Sequence, residues 1–416
     1  MSEGALAGVT VVEFGQFVSV PFCAQLMADA GARVIKVEPP GGDAYRRAGQ
    51  LAPMESRQFV IKNRGKESVA LDLGHPDAAA LVERLVELAD VVLINMSPAA
   101  VTRRGLDWAT LSARHPRLVH GLVSGYGTVG PDAGLPGMDV VLQAHSGLLA
   151  ALGAEDGDVP RHSEVQVADY TAALLLLAGV SMALLARNRT GRGQQVDVSL
   201  LGAALTLQNN QLSHVERVDG WRAAFVAQEL PALRRARAGR DAISAARAAH
   251  QTDRLTHTAH YRVFATADGA VAVGAGSPPT QERLARVVGL AVQELRGDPE
   301  RVQRALAALL ATRTSAAWIA ELRAADVPCG AVRTLDEVLT DPHLEAEGLV
   351  TDIDHPGIGR YRGLGSPIRF SDTPSTATRP SPAFAADTNA VLHELGFTDE
   401  EVAGLLRCGA AVTRSS

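Results

Sequence analysis

The stretch Val9-Thr-Val-Val-Glu-Phe14, followed after a helical interval by Arg33-Val-Ile-Lys-Val-Glu38, decides the fold. Each is a short run of β-branched and apolar residues bounded by turn formers, which reads as a strand. Between them Ser19 to Ala30 has helical spacing with Gly31 as its stop, and Pro39-Pro40-Gly41-Gly42 closes the second strand. The pattern repeats outward. Val69 to Leu73, Val91 to Asn95 and Leu118 to Ser124 read as further strands. Helical spacing runs over Ala78 to Leu88, entered at Pro76, and helical material lies around Trp108 and Leu111. Such alternation predicts an α/β fold with a doubly wound, mostly parallel sheet.

From about Gly125 to Pro160 the chain is rich in Gly, Pro and Asp and reads as loop, where doubly wound folds place their binding residues. A long helix is expected from Asp169 to Asn188. Its apolar run, Ala172 to Ala186, falls short of the ~20 residues of a membrane span and reads as a helix buried on all sides. Thr190-Gly-Arg-Gly-Gln-Gln leads into a strand at Gln195 to Ser199. Around 215–255 the composition shifts to Ala and Arg, either a solvated helical surface or a phosphate-binding patch. Tyr261 to Phe264 and Val271 to Val273 read as a hairpin opening a second domain, with helices at Thr280 to Val288 and about Glu300 to Ala324. The expected division is a large α/β domain over 1–205, a linker over 206–224 and a smaller α+β domain over 225–330. A return segment over 331–416 then completes a discontinuous large domain.

The 416 residues are 46% hydrophobic and 21% charged, a globular composition. The formal net charge of −6 argues against nucleic-acid and membrane-surface roles, both of which want a basic excess. Cys23, Cys329 and Cys408 are far apart and odd in number, so reduced thiols in a cytoplasmic protein are expected. Met1-Ser-Glu-Gly-Ala has neither the basic nor the apolar part of a secretory signal.

Gly125-Tyr-Gly-Thr-Val-Gly130 matches GxGxxG, yet Pro131-Asp-Ala-Gly134 follows and no helix opens at the third glycine. Without that helix N-terminus the pyrophosphate has no seat, so a dinucleotide site is rejected and the glycines are expected to let a loop approach another ligand. No GxSxG or HExxH motif is present, and His257 and His260 lack carboxylate company, which excludes serine-triad and zinc-hydrolase readings. Asp169, in Val165-Gln-Val-Ala-Asp-Tyr, stands before the apolar helix. Backbone N–H groups and the helix dipole should keep its carboxylate ionised there, and such a carboxylate is a competent nucleophile toward an activated acyl group. The same position also suits a plain helix cap; the residues alone leave both open.

With these elements in place the chain resembles the class III coenzyme A transferases, the CaiB/BaiF family. The resemblance is carried by Gly8-Val-Thr-Val-Val-Glu-Phe, Pro21, Ala30-Gly-Ala-Arg-Val-Ile-Lys-Val-Glu-Pro and Asn63-Arg-Gly-Lys-Glu-Ser-Val-Ala-Leu-Asp-Leu. It continues through Ala89-Asp-Val-Val-Leu-Ile-Asn, Gly125-Tyr-Gly, Gly130-Pro131, Asp139, Gln143-Ala144, Ala168-Asp169, Thr190-Gly-Arg-Gly-Gln and Pro367-Ile368. It implies an interlocked homodimer, no prosthetic group or metal, and acyl-CoA plus a small carboxylic acid as substrates. It also implies that Asp169 attacks the thioester, forming a mixed anhydride and then an aspartyl-CoA thioester. Coenzyme A contacts are implied at Phe17, Val18, Leu71, Asn95, Met96 and Arg103, with Arg103 on a phosphate; as a residue, Arg103 reads equally as an exposed helix arginine. The three lysines, Lys36, Lys62 and Lys66, cluster where an acidic protein would need a basic pocket, although Lys36 also suits a strand edge. The chain departs from the family pattern at Ile94-Asn-Met-Ser-Pro-Ala99 and at Pro39. Met138 stands where racemases of this family carry a histidine, and methionine cannot exchange a proton. A non-catalytic acyl-CoA binder is a third reading, which the presence of Asp169 and the Gly125 loop opposes.

Overall fold

A computed structural model describes residues 3–152, 155, 156, 159–251 and 259–414. Contacts divide the chain into one unit of Met1–Ser213 with Glu345–Ser416 and a second of His214–Leu344. The first is organised on strands β1 (Thr10–Phe14), β2 (Arg33–Glu38), β3 (Glu67–Leu71), β4 (Val91–Ile94), β5 (Val119–Ser124), β6 (Gln195–Ser199) and β7 (Ala411–Val412). Their order across the sheet is β6-β5-β4-β1-β2-β3-β7. All pairings are parallel except that of β7 with β3.

Helices cover both faces, so the central strands are apolar throughout, and the period of two decides which side chain meets which layer. Val11, Val34, Val91 and Leu93 join one core with helices α1 (Ser19–Asp29), α6 (Val167–Thr190) and α7 (Leu200–Thr206). Val12, Ile35, Val92 and Ile94 join the other with α3 (Ala78–Leu88), α8 (Thr388–Glu394) and α9 (Asp399–Cys408). Three shorter helices, α2 (Arg57–Asn63), α4 (Pro98–Arg103) and α5 (Asp139–His145), complete the functional end of this unit. The C-terminal return is stitched to β3, where Ala70 N donates to Thr388 Oγ1 at 3.1 Å and Ser68 N to Asp387 Oδ2 at 2.8 Å.

The second unit has a three-stranded antiparallel sheet of Tyr261–Ala265, Ala270–Gly274 and Cys329–Ala331, packed by helices Pro278–Val288, Pro299–Leu310 and Ser315–Ala324. Phe264, Val271, Leu284, Leu306 and Trp318 form its core. Residues 329–331 stay with this unit because they hydrogen-bond to Ala270–Gly274, which carries the boundary to 344. The Ala/Arg-rich stretch is helical at Leu230–Arg235 and Arg240–His250, with Arg234 and Arg235 exposed. His257 lies outside the described residues, and His260 is buried.

Two local expectations change. The stretch after Gly125 is not all loop, since Asp139–His145 and Leu148–Leu152 are helical. Helix α6 begins at Val167 and has 24 residues, long and apolar enough by length and composition to cross a membrane. Nor is it buried on all sides. Ala172, Leu176, Val180 and Ala183 pack inward, whereas Leu174, Met182 and Leu185 are 51%, 64% and 71% exposed.

Candidate active site

The sheet order places the topological switch point between β1 and β4, and the crevice outside their carboxyl ends is where a doubly wound fold binds ligands. Two loops leave there, Gly15–Val18 after β1 and Asn95-Met96 after β4. Asn95 locks them together: its Oδ1 accepts from Gln16 N at 3.0 Å and its Nδ2 donates to Gln16 O at 2.7 Å. Phe17 sits at φ 68°, a left-handed conformation that a bulky residue adopts only under surrounding constraint. Its ring meets Tyr45 edge-on, with centroids 5.3 Å apart.

Asp169 occupies the first turn of α6 and does not cap it. The cap comes from Asp139 on α5, whose Oδ1 accepts from Ala168 N at 2.8 Å and from Asp169 N at 3.1 Å. Gln143 Nε2 steadies the other Asp139 oxygen, while Gln143 Oε1 accepts from Ser163 N at 3.1 Å. The Asp169 carboxylate accepts from the backbone N–H and the hydroxyl of Ser19, the first residue of α1. Two helix N-termini therefore converge, each satisfied by a carboxylate from elsewhere in the chain. Burial, reinforced by the nearby Asp139 charge, pushes the Asp169 carboxyl up from 3.8 to about 6, against the pull of Ser19 and Lys62. Desolvation outweighs the helix-end donors, yet a carboxyl at about 6 is still mostly ionised at neutral pH.

A cavity of about 200 Å³ opens on this carboxylate, lined among others by Phe17, Ser19, Asn95, Met96, Met138 and Asp169. Gly125 and Gly137 also line it. A Cβ on Gly137 would stand 2.5 Å from the Gly125 Cα, so here the glycines serve backbone-to-backbone contact inside the protein. The structure thus brings Phe17, Asn95 and Met96 to Asp169. Val18 and Leu71 do not present side chains there; both are 1% exposed, Val18 at the head of α1 and Leu71 in the core beneath α3. Arg103 lines a separate cavity of about 370 Å³, with Leu73, His75, Arg104 and Arg114.

The lysine cluster is not a basic pocket. Lys36 Nζ lies 2.9 Å from both Glu13 Oε1 and Asp43 Oδ2, and Lys66 Nζ lies 2.7 Å from Glu13 Oε2, all buried. Two of the three charges are consumed inside the fold. Sequence reading also missed Ser19 and the capping role of Asp139, and it gave Lys62 to a phosphate pocket rather than to the surroundings of Asp169. Asp139 is part of the family pattern, but no local spacing ties it to a helix end 29 residues away.

A model of the family described as "CoA-transferase family III" matches residues 6–388. The chain belongs to that family. It is therefore a transferase, and the CaiB/BaiF resemblance holds over nearly its whole length. Among curated family III relatives, the succinate–glutarate CoA-transferase of Agrobacterium fabrum is 29% identical, with 94% of this chain and 95% of that protein covered. The succinyl-CoA–D-citramalate CoA-transferase of Chloroflexus aurantiacus is 30% identical, with 96% of each covered. A solved CaiB/BaiF family protein from Brucella suis superimposes with a TM-score of 0.73 at 28% identity, covering 95% of this chain and all (100%) of that one. The family shares the large discontinuous parallel-sheet unit and the smaller α+β unit.

Proposed function

We propose that this enzyme moves coenzyme A from an acyl-CoA donor to a carboxylic acid through covalent intermediates on Asp169. The observation that carries the reading is a desolvated carboxylate at the switch-point cavity, steadied by the Ser19 donors and backed by Lys62. An Asp169 oxygen attacks the thioester carbonyl and the CoA thiolate leaves, giving a mixed anhydride. The thiolate then attacks the aspartyl carbonyl and the donor acid departs, leaving an aspartyl-CoA thioester. The acceptor carboxylate attacks that carbonyl, the thiolate leaves again, and its return onto the acceptor's acyl carbon frees Asp169. One thioester replaces another, so the protein's work is alignment and exclusion of water. Coenzyme A and its acyl thioester act as substrates and no prosthetic group is needed. Phe17, Asn95 and Met96 would flank the thioester. Val18 and Leu71 could contribute main-chain contacts only.

The phosphate end is assigned to the cavity of Arg103, whose neighbour Arg104 has a buried Nε with no hydrogen-bond partner among the described residues. Arg103→Ala should raise KM for acyl-CoA about 10-fold at low salt, with kcat less affected and the effect shrinking as salt rises. Steady-state kinetics at two ionic strengths measure it. The racemase reading has no support at Met138, which lines the cavity without a titratable group.

The exposed apolar face of α6 supports a homodimer, since Leu174, Met182 and Leu185 would otherwise leave a contiguous patch in water. Sedimentation of the full chain should give a dimer, and Met182→Glu with Leu185→Glu should disrupt it. Unpaired Cys23, Cys329 and Cys408 fit a cytoplasmic setting.

The test of the reading is to incubate the chain with succinyl-CoA or acetyl-CoA, quench with hydroxylamine and map the product by mass spectrometry. A hydroxamate at Asp169 is expected. Incorporation of solvent deuterium at the α-carbon of the acyl-CoA, with no Asp169 adduct, would sink it in favour of racemase chemistry.

A further inference from the structure

Of the three lysines, Lys62 alone keeps an uncancelled charge. It is 1% exposed at the end of α2, with Nζ 2.9 Å from Gln58 Oε1, and no ion pair to a carboxylate forms among the described residues. Two phenol rings flank the ammonium, Tyr45 at 5.2 Å and Tyr170 at 6.0 Å from their centroids. Both phenols also feel the negative charge of Asp169, and Lys62 and Asp169 feel each other. Asp169, Tyr170, Tyr45 and Lys62 therefore form one electrostatic cluster at the head of α6.

The other acidic groups on the elements packed against α2 are accounted for. Asp43 faces it, but Lys36 holds that carboxylate at 2.9 Å. Asp29 on α1 is held by Arg64 at 2.6 Å, and Glu55, before α2, lies beside Arg46. Burying a cation costs several kcal/mol unless something offsets it. The offsetting anions that face Lys62 are Asp169 and, already paired elsewhere, Asp43.

We infer that Lys62 is a positioning residue whose charge, released when Asp169 becomes acylated, draws the acceptor carboxylate onto the aspartyl thioester. This deepens the proposed function and rests on it. In the resting site the Asp169 carboxylate and the Lys62 ammonium oppose one another, and Asp139 adds a further negative charge, so a free carboxylate is not attracted. Thioester formation turns Asp169 into a neutral carbonyl compound. The field of Lys62 is then unopposed by Asp169 at the moment when an anion must approach that carbonyl. Attack by the carboxylate oxygen forms the new C–O bond, breaks C–S and releases thiolate, and the developing negative charge meets a cation already in place. Substrate order would thus be built into the charge balance: thioester first, acid second.

The experiment follows the two half-reactions separately in full-length Lys62→Met and Lys62→Arg. Succinyl-CoA loads Asp169, hydroxylamine trapping measures the adduct, and isotopically labelled succinate then discharges it. Lys62→Met should load within about threefold of the parent but discharge about 10- to 100-fold more slowly, with KM for succinate raised. Burial lowers the Lys62 ammonium to about 8 even with Asp169 charged beside it, and loading removes that charge, so discharge in the parent should already decline with rising pH below that value. Lys62→Arg should retain discharge and remove the decline, because arginine stays protonated. Methionine removes a buried charge, so the variant should melt no lower than the parent. Equal slowing of loading and discharge, or no slowing of discharge, overturns the role of Lys62 and leaves the function standing. Absence of any Asp169 adduct in the parent chain overturns both.

Discussion

Asp169→Asn should abolish CoA transfer, by about 10⁴-fold or more, while making the folded chain more stable at pH 8. Both effects have one cause. The amide has no anionic oxygen to attack a thioester carbonyl, so neither covalent intermediate can form. The parent carboxyl is raised from 3.8 to about 6 by burial first and by Asp139 second. A group with a raised folded pKa contributes stability that is complete below the unfolded value and is lost as pH rises through the folded value. At pH 8 the parent therefore carries the full cost of an ionised, desolvated aspartate, about 1–3 kcal/mol at 1.36 kcal/mol per pKa unit. An asparagine side chain would escape that cost and still accept from Ser19 through its amide oxygen. Urea unfolding should show the variant ahead at pH 8 and the gap closing toward pH 3.5. The parent's adduct formation should meanwhile fall about tenfold per unit below pH 6, as the nucleophile protonates. A variant that kept its turnover, or lost stability at pH 8, would remove Asp169 from the centre of the mechanism.

The layered sheet was legible because its strands and helices are locally consistent: Val9 to Phe14 and Arg33 to Glu38 have no alternative that buries so many β-branched side chains. The strand order, and with it the switch point that locates the cavity, is long-range information that no local period carries. Asp169 was legible as a residue type at a helix entry, and the resemblance then favoured it over a plain cap. Its environment was not. Whether that carboxylate is solvated by helix donors or starved of water depends on Asp139 and Ser19 arriving from other elements, which no local spacing shows. The lysines misled for a long-range reason as well. Three cations within one early stretch look like a phosphate pocket, but Glu13 lies on the neighbouring strand and takes two of them. Phe17, Asn95 and Met96 reached the cavity because they follow strand ends. Leu71 did not, because the last residue of a central strand still belongs to the core.

The largest structural effect should come from that same acidic residue. Glu13→Gln should cost about 3–5 kcal/mol of stability, the usual consequence of breaking a buried ion pair by removing one partner. Glu13 is fully buried, and its two oxygens hold Lys36 at 2.9 Å and Lys66 at 2.7 Å. Lys36 would retain Asp43 at 2.9 Å, whereas Lys66 would keep only Pro21 O and Asn63 Oδ1, both at 2.8 Å, and no carboxylate. Burial already lowers the Lys66 ammonium to about 8, and Glu13 is the group that resists the fall. Without Glu13 the folded value drops further while the unfolded value is unchanged, so the deficit carried by Lys66 should be present while the parent ammonium is protonated and should close as pH rises through about 8. Adding Lys66→Met should recover part of the loss, since a buried methionine needs no counter-ion. Urea unfolding of both single variants and the double variant closes the cycle; additive losses would mean that the pair is not coupled. The network also reaches the chemistry. Lys36 Nζ donates to Gly15 O at 2.7 Å and Lys66 Nζ to Pro21 O at 2.8 Å, bracketing the loop that presents Phe17 and Ser19 to Asp169. Glu13→Gln should therefore lower the rate of Asp169 loading even where the chain remains folded, because Ser19 would no longer be held against the nucleophile.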